Sequence, residues 1–237
     1  MVKASMVDRI STGLEQLDAD LEGGIPEGSI IVIMGDKKTG VEQLADYILL
    51  EGLKNNESGI FMALEKAPSR FKNNAEYYGW DFEQYEKSKD LMFIDGYSWQ
   101  SGEPETDHYL KGLTDLNQIS MTFLRTLHDL RDGSDRCVVN SSSALLEYMN
   151  PQSAKKLLKV LGAKSAKKEG VLIITLQKSL HDKQDRAEIK DSADGVIRLE
   201  TKNNQPYLGI ERMDKTDHAK AWRKFMISSE KGLWLEK

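Results

Sequence analysis

The sequence predicts an α/β fold in which a mostly parallel, twisted sheet carries helices on both faces and ends in an antiparallel extension. Five short apolar segments alternate with segments of helical periodicity, and this alternation is typical of a parallel sheet that is buried on both faces. After residue 194 the helical periodicity stops and short strand-like segments follow one another across turn residues. These segments predict antiparallel strands that close the sheet.

Each element has its own signal in the chain. The predicted parallel strands cover 29–34, 59–64, 91–95, 137–140 and 171–176. The clearest helices are predicted over 114–131 and 151–168, where apolar residues recur at steps of three and four, and the second opens with a proline. Polar and turn residues over 97–112 predict an exposed loop. No repeat or linker interrupts the pattern, so we expect residues 1–237 to form a single domain.

Composition excludes several classes of protein. Hydrophobic residues make up 39% and charged residues 30% of the 237 positions, which is typical of a globular protein with one core. The formal net charge of -5 gives no general attraction to nucleic acid or to an anionic membrane. No apolar run has the length of a membrane span and no signal peptide is present, so we expect a cytoplasmic protein without membrane insertion. The single cysteine, Cys137, excludes a disulfide framework and predicts a buried, inert thiol.

A glycine-bounded loop joins the first core strand to the helix that follows it. The segment GDKKTGVE covers residues 35–42, and strand, loop and helix in this order are the setting of a phosphate-binding loop. Such a loop has a glycine, four residues, a second glycine, a lysine and then serine or threonine. The two glycines are kept, but Val41 and Glu42 occupy the last two positions. The candidate nucleotide-binding residues of the loop are Gly35, Asp36, Lys37, Lys38, Thr39, Gly40, Val41 and Glu42.

Five segments combine glycine turns, apolar strands and charged strand ends in a fixed order. They are RISTGLEQLDADLEGGIPEGSIIVIMG at 9–35, GIFMALEKAPSRFKNNAEYYGWD at 59–81, LMFID at 91–95, SADGVIRLE at 192–200 and RMDKTDH at 212–218. Together they resemble the KaiC-like and RadA-like branch of the RecA superfamily, over residues 9–236. The resemblance implies a RecA-like core with the P-loop ATPase fold, and an unrelated doubly wound α/β protein is the alternative.

The resemblance also implies catalytic residues, and this chain departs from them. Val41 and Glu42 stand for the phosphate-binding lysine and the magnesium-ligating hydroxyl. At about 4 Å and an effective dielectric constant near 20, a carboxylate and a phosphate charge repel by about 4 kcal/mol. Asn140 stands for the strand-terminal aspartate, and Lys66 for the second member of an acidic pair. The remaining member, Glu65, is either a catalytic relic or a carboxylate paired with Lys66.

The segment 212–218 resembles the Lys-x-Arg-Gly-Thr-x-His turn that reaches a neighbouring subunit's γ-phosphate in relatives. Its candidate interface residues are Arg212, Asp214, Lys215, Thr216 and His218. Arg212 keeps a positive charge at the lysine position, whereas Asp214 reverses the charge at the arginine position. The histidines of the chain lack metal-ligand spacing, so we expect no metal site.

Phosphoryl transfer depends almost entirely on positioning and electrostatics, so these changes imply a pseudo-ATPase without efficient hydrolysis. The leading interpretation is a regulatory or scaffold subunit that needs no cofactor and associates with a protein, either itself or a related RecA-type ATPase. The first alternative is a nucleotide-binding signalling protein or slow ATPase that binds ATP weakly through Lys37 or Lys38. The second is a RadA-like recombinase paralogue that binds DNA, although the lysines of 151–168 are more simply explained by solubility.

Glu42 supports a separate hypothesis about the loop. A carboxylate in the first turn of a helix stabilises the positive end of the helix dipole by about 0.3–1 kcal/mol. We hypothesise that Glu42 substitutes for the missing phosphate, pairs with Lys37 or Lys38, and holds the loop closed and empty. The alternative is that Glu42 points into solvent as an ordinary helix-forming residue.

Overall fold

Residues 7–131 and 135–236 are described by a computed structural model of the chain. The strands are β1 (Arg9–Ile10), β2 (Ile25–Pro26), β3 (Ile30–Gly35), β4 (Ser58–Ala63), β5 (Leu91–Asp95), β6 (Asp135–Asn140), β7 (Val171–Gln177), β8 (Gly195–Lys202), β9 (Gln205–Met213), β10 (Trp222–Ser228) and β11 (Gly232–Glu236). The α-helices are α1 (Glu15–Asp20), α2 (Val41–Lys54), α3 (Pro68–Glu76), α4 (Glu83–Lys87), α5 (Leu116–Asp129), α6 (Ser142–Tyr148), α7 (Pro151–Ser165) and α8 (Lys183–Lys190).

Strands β3 to β11 form one sheet in the order β11-β10-β9-β8-β3-β7-β6-β4-β5, and β1 pairs with β2 separately. The six strands from β8 to β5 in this order are parallel, and β9, β10 and β11 continue the sheet antiparallel. The predicted α/β class, the parallel sheet and the C-terminal antiparallel extension are therefore confirmed. The five predicted parallel strands all form, with ends within two residues of the prediction.

The sheet is buried on both faces because its central strands are mostly apolar on both sides. In β3, Ile31 and Ile33 belong to one core layer, and Ile30, Val32 and Met34 belong to the other. Helix α2 covers the first layer through side chains such as Leu44 and Ile48, whereas α5 and α7 cover the second. The alternation follows from the two-residue period of a strand.

The two clearest helix predictions are confirmed and their ends have local causes. Helix α5 begins after Asp115, whose side chain accepts hydrogen bonds from the N–H groups of Asn117 and Gln118. Helix α7 begins after Asn150, which caps the N–H group of Ser153. The predicted 151–168 segment ends in a short 3-10 turn at Ala166–Lys168 instead of a continuous α-helix.

The segment predicted as a loop over 97–112 is irregular but anchored. A 3-10 turn covers Ser98–Gln100, and Tyr109 forms an isolated bridge with Asp95. The Asp95 carboxylate accepts hydrogen bonds from the N–H groups of Tyr97, Ser98 and Glu105. The first part of the loop therefore folds back onto the end of β5.

The prediction that Cys137 is buried is confirmed, and Trp80 is a second buried side chain of the core. Cys137 is fully buried on β6, and burial raises the pKa of its thiol far above the usual range. Trp80 is buried at the end of the α3 region and stacks obliquely on Tyr47 and Tyr78. Both side chains have packing roles.

Arg136 is a buried cation at the amino end of β6, with only 1% of its surface exposed. Its guanidinium forms two hydrogen bonds with the Glu57 carboxylate, of 2.6 and 2.7 Å. It also donates to the carbonyl oxygens of Ser11 and Ile48, each at 2.7 Å. One side chain thus joins the sheet, helix α2, the segment before β4 and the N-terminal segment.

Replacing Arg136 by methionine is expected to lower the free energy of unfolding by about 3–5 kcal/mol, because it leaves Glu57 and two buried carbonyl groups without their donor. Urea unfolding followed by circular dichroism measures the change. The matched control is Arg131→Met: Arg131 is half exposed in its ion pair with Asp90, and its loss is expected to cost about 1 kcal/mol or less. Equal losses in the two variants would contradict the assigned role.

Candidate functional site

The candidate site lies at the carboxyl edge of the parallel strands. Gly35 at the end of β3 pairs in register with Gln177 at the end of β7. Ala63 at the end of β4 pairs with Asn140 at the end of β6. The loop 35–40, the residues after β4 and the ends of β6 and β7 therefore meet at one edge, which is where ligands bind in open α/β sheets.

The loop itself is closed by local contacts. The Thr39 hydroxyl donates to the Asp36 carbonyl oxygen at 2.7 Å, and the Thr39 N–H group donates to the same oxygen. Gly40 begins α2 with a positive φ of 96°, and a Cβ atom there would lie 2.4 Å from the ring of Phe225 on β10. Only glycine permits this conformation and this approach.

Glu42 forms an ion pair with Lys66 across the loop. The Lys66 Nζ atom lies 2.6 Å from Glu42 Oε2, and both side chains are about one-third exposed. The expected pairing of Glu42 with Lys37 or Lys38 is wrong: both loop lysines are exposed, and neither forms an ion pair with a carboxylate in the described ranges. The partner comes instead from the end of the neighbouring strand β4.

Glu65 is held between the ends of β6 and β7. Its carboxylate accepts a short hydrogen bond from the Ser141 hydroxyl, and a second bond of 3.2 Å from the Gln177 amide. Burial raises the pKa of Glu65, and the bond from Ser141 opposes that change. The interpretation of Glu65 as the partner of Lys66 is therefore wrong, because Lys66 is directed to Glu42.

Asn140 turns its amide toward the sheet. Its Oδ1 atom accepts a hydrogen bond of 3.1 Å from the Thr175 hydroxyl on β7, and the residue is buried. Val41 is also buried, as part of the core layer under α2. Of the predicted site residues, the structure thus groups the loop, Glu65 and Asn140 around one edge of the sheet.

Asp46 is a site residue that nothing in the sequence pattern singled out. It lies one helical turn after Glu42 on α2 and is 7% exposed, and its Oδ1 atom has no hydrogen-bond partner among the described residues. Burial, and then repulsion from Glu42, raise the pKa of Asp46 well above its usual range, while Lys66 opposes the change. Among the buried residues of α2, Asp46 is the one charged side chain in an otherwise apolar set.

Two adjoining cavities border these side chains. One of about 190 Å³ lies over the loop and is lined by loop residues with Asn140, Ser141, Thr175 and Gln177. The other, of about 20 Å³, lies between α2 and α3 and holds Asp46, Lys66 and Tyr78 in its wall. The smaller cavity has room for about one water molecule. Glu42, Gln43 and Asn140 border both.

The 212–218 turn lies outside both cavities and is bound to its own chain. The Arg212 guanidinium donates to the carbonyl oxygens of Lys190 and Ala193. Arg9 donates to the Thr216 hydroxyl and to the Lys215 carbonyl oxygen, each at 3.0 Å. Of the remaining members of the turn, Asp214 is exposed and His218 is half-buried. The turn is therefore preformed within one chain.

Comparison with known proteins identifies the family. A family model described as "ATPase: KaiC" matches residues 10–235. The chain belongs to this KaiC family. A UPF0273 protein of Thermotoga maritima is 29% identical over 205 residues, which cover 82% of this chain and 81% of the relative. A UPF0273 protein of Methanopyrus kandleri is 27% identical over 232 residues, which cover 94% and 90%.

A solved structure confirms the fold that the sequence resemblance implied. The crystal structure of a KaiC-like protein from Pyrococcus horikoshii superposes with a TM-score of 0.78 at 21% identity, over 98% of this chain and 100% of that one. The RecA-like architecture is thus shared. In the described ranges, no helix combines the length and the apolar character that crossing a bilayer requires.

The burial of Asp46 predicts a particular pH dependence of stability. A carboxyl group whose pKa is raised above its unfolded value of about 3.9 stabilises the fold below that value, and this contribution is lost as pH rises through the folded-state pKa. The stability of the parent relative to Asp46→Asn should therefore fall as pH rises above about 4. Urea unfolding at several pH values measures it. The exposed control Asp107→Asn should show no such trend, and a flat difference for Asp46→Asn would contradict the prediction.

The ion pair predicts that Glu42→Ala lowers the melting temperature by about 2–4 °C, because it removes a helix-dipole contact and a partner of Lys66 worth about 1 kcal/mol together. Added sulfate should restore part of the loss, since the bare helix end and Lys66 form an anion site. Differential scanning calorimetry measures both effects. The matched control is Glu83→Ala, a first-turn glutamate in an exposed pair with Lys87. Equal sulfate responses in both variants would disprove the substitution of Glu42 for phosphate.

Proposed function

We propose that this KaiC-family chain is a pseudo-ATPase, a RecA-like core without efficient ATP hydrolysis that acts as a regulatory or scaffold subunit through protein association. The observation that carries the proposal is the 2.6 Å ion pair between Lys66 and Glu42. By the family resemblance, Glu42 stands at the magnesium-ligating hydroxyl and Lys66 at the second acidic residue. Glu42 brings a negative charge to the place of the phosphates, Lys66 replaces an acidic residue by a cation, and the two charges neutralise each other.

The residues at the loop do not fit a magnesium-bound triphosphate. A triphosphate needs a cation at the lysine position, and Val41 is an aliphatic side chain within the core. Magnesium prefers anionic oxygen ligands, whereas Asn140 is neutral and its Oδ1 atom already accepts from Thr175. Glu42 adds a negative charge beside the helix end that would receive phosphate. These three positions together support loss of hydrolysis.

A nucleotide-binding protein or slow ATPase is the second candidate. Lys37 and Lys38 are exposed on the rim of the 190 Å³ cavity and have no carboxylate partner in the described ranges. Two uncompensated ammonium groups favour an anion there. This candidate differs from the first in requiring that ATP bind through the rim lysines.

Association is supported by the preformed 212–218 turn. Arg9 donates to the Thr216 hydroxyl and to the Lys215 carbonyl oxygen of the turn, and the Arg212 side chain at its start donates to the carbonyl oxygens of Lys190 and Ala193. Because this turn is already ordered, binding of a partner to it costs less conformational free energy than binding to a flexible loop. The partner is a second copy of this chain or a related RecA-type ATPase. The same surface is available whether or not the loop holds a ligand.

Isothermal titration of the parent with Mg-ATP is expected to give no high-affinity binding, and turnover is expected to stay far below the common enzyme rate of about 10 per second. The combined variant Val41→Lys, Glu42→Thr, Asn140→Asp should gain at least about tenfold in ATP affinity, since it removes the repulsion and restores the cation. The matched control changes the exposed positions Val160→Lys and Glu83→Thr and should gain nothing.

Turnover by the parent that Glu65→Gln abolishes would refute the pseudo-ATPase. Tight binding by the parent that Lys37→Gln with Lys38→Gln removes would support the second candidate instead.

Light scattering on the same samples separates the scaffold role from the loss of catalysis. The parent should form an oligomer, or a stable complex with a co-expressed KaiC-family ATPase, with or without ATP. Reversal of exposed charge in the turn by Asp214→Lys should weaken that complex while leaving the folded stability unchanged. A monomer at the highest soluble concentration that captures no such ATPase would remove the association proposal.

A further inference from the structure

The outer face of strands β8 to β11 carries aromatic rings and cations. Alternate side chains of these strands enter the core, among them Leu199, Leu208, Phe225 and Leu235, so the intervening ones lie on the opposite face. We call this surface the ring platform. It is formed by Arg198, Lys202, Tyr207, Trp222 and Trp234, together with Lys231 from the turn between β10 and β11, whose Nζ atom lies 5.7 Å from the centre of the Trp234 ring.

Trp222 lies flat on the sheet. Gly209 is its neighbour on β9, and a Cβ atom there would come within 2.7 Å of the indole ring. The absence of a side chain at Gly209 therefore allows the ring to pack against the backbone of the sheet. The Lys202 Nζ atom lies 4.7 Å from the centre of the indole and 5.7 Å from the centre of the Tyr207 ring. Even so, 37% of Trp222 is exposed, although a large aromatic side chain is ordinarily buried in a sheet.

The platform carries unneutralised positive charge. Arg198 pairs with Glu200, and the neighbouring Lys224 pairs with Glu236. Lys202 and Lys231 form no ion pair with a carboxylate of residues 7–131 or 135–236, and both ammonium groups lie over aromatic rings instead. A cation held over an exposed ring contributes only about 0.5–1 kcal/mol, so each ammonium group can move to an anionic ligand at small cost.

We propose that the ring platform binds single-stranded nucleic acid. The exposed Trp222 ring, the half-buried Tyr207 ring and the ammonium group beside them match the two parts of a single strand, because bases stack on aromatic faces and phosphates attract lysine. Trp222 and Tyr207 receive bases, and Lys202 turns from the rings to a phosphate. Within residues 7–131 and 135–236, strands β8 to β11 form this face and no helix is part of it. A duplex groove is read by a helix or a two-stranded ribbon that enters it, so we expect a duplex to bind less well. The proposal concerns a different surface from the loop and does not rest on the pseudo-ATPase.

Fluorescence anisotropy with a labelled single-stranded DNA of about 12 nucleotides tests the proposal. Binding at low salt should exceed that of the matched duplex, and should quench tryptophan fluorescence. Trp222→Leu should weaken binding about 5- to 100-fold, whereas Trp222→Phe should retain most of it, because stacking needs a ring. Lys202→Gln, at an exposed position, should weaken binding and reduce the slope of log K against log salt by about 0.7.

Matched controls lie elsewhere on the surface. Tyr77→Leu removes a ring that is 70% exposed at the end of α3, and Lys159→Gln removes an exposed lysine on α7. Both should bind DNA as the parent does. The proposal is overturned if the parent does not bind at low salt, if the controls lose as much affinity as the platform variants, or if the duplex binds equally well. Competition by poly-L-glutamate as strong as that by unlabelled DNA would overturn it in favour of an acidic protein partner.

Discussion

Parallel pairing of β3, β7, β6 and β4 is the constraint on which the candidate site depends. Because these strands run in register, Gly35 is level with Gln177, and Ala63 is level with Asn140. Both faces of the sheet are buried, so a slip by one residue would exchange the two core layers of every strand. This register places the end of β4, which Lys66 follows, close to the start of α2, which holds Glu42. The ion pair between the two side chains depends on that proximity.

Two cations from outside helix α2 contact it at two points, Arg136 at a backbone carbonyl and Lys66 at a carboxylate. Near its middle, the Ile48 carbonyl oxygen accepts from the buried Arg136 guanidinium, and in its first turn Glu42 contacts Lys66. Asp46 lies between these points in a buried position without a partner for Oδ1 in the described ranges. The contacts of Arg136 and Lys66 with α2 thus offset part of the free energy that burial of the Asp46 carboxyl group costs.

The fold could be predicted because the parallel strands are mostly apolar, and the loop because its glycines keep their spacing. The sequence did not indicate that Lys66 would be the partner of Glu42, since 24 residues separate them and two lysines lie nearer along the chain. Arg136 and Asp46 were missed for a related reason. Arg136 is buried because the distant Glu57 carboxylate accepts its hydrogen bonds, whereas Asp46 is buried without a partner for Oδ1 in the described ranges, and periodicity reports neither environment. The outward direction of Arg198 similarly depends on a register irregularity between Val196 and Ile197.

Strand β10 has the loop on one side and the ring platform on the other. Phe225 touches Gly40 through the core, while Trp222 faces outward three residues earlier on the same strand. Because β10 contacts the loop on one side and forms part of the ring platform on the other, a displacement of this strand would affect both surfaces. Linkage then requires reciprocity: whatever free energy an occupant of one surface uses to shift β10 appears with equal size in the occupancy of the other.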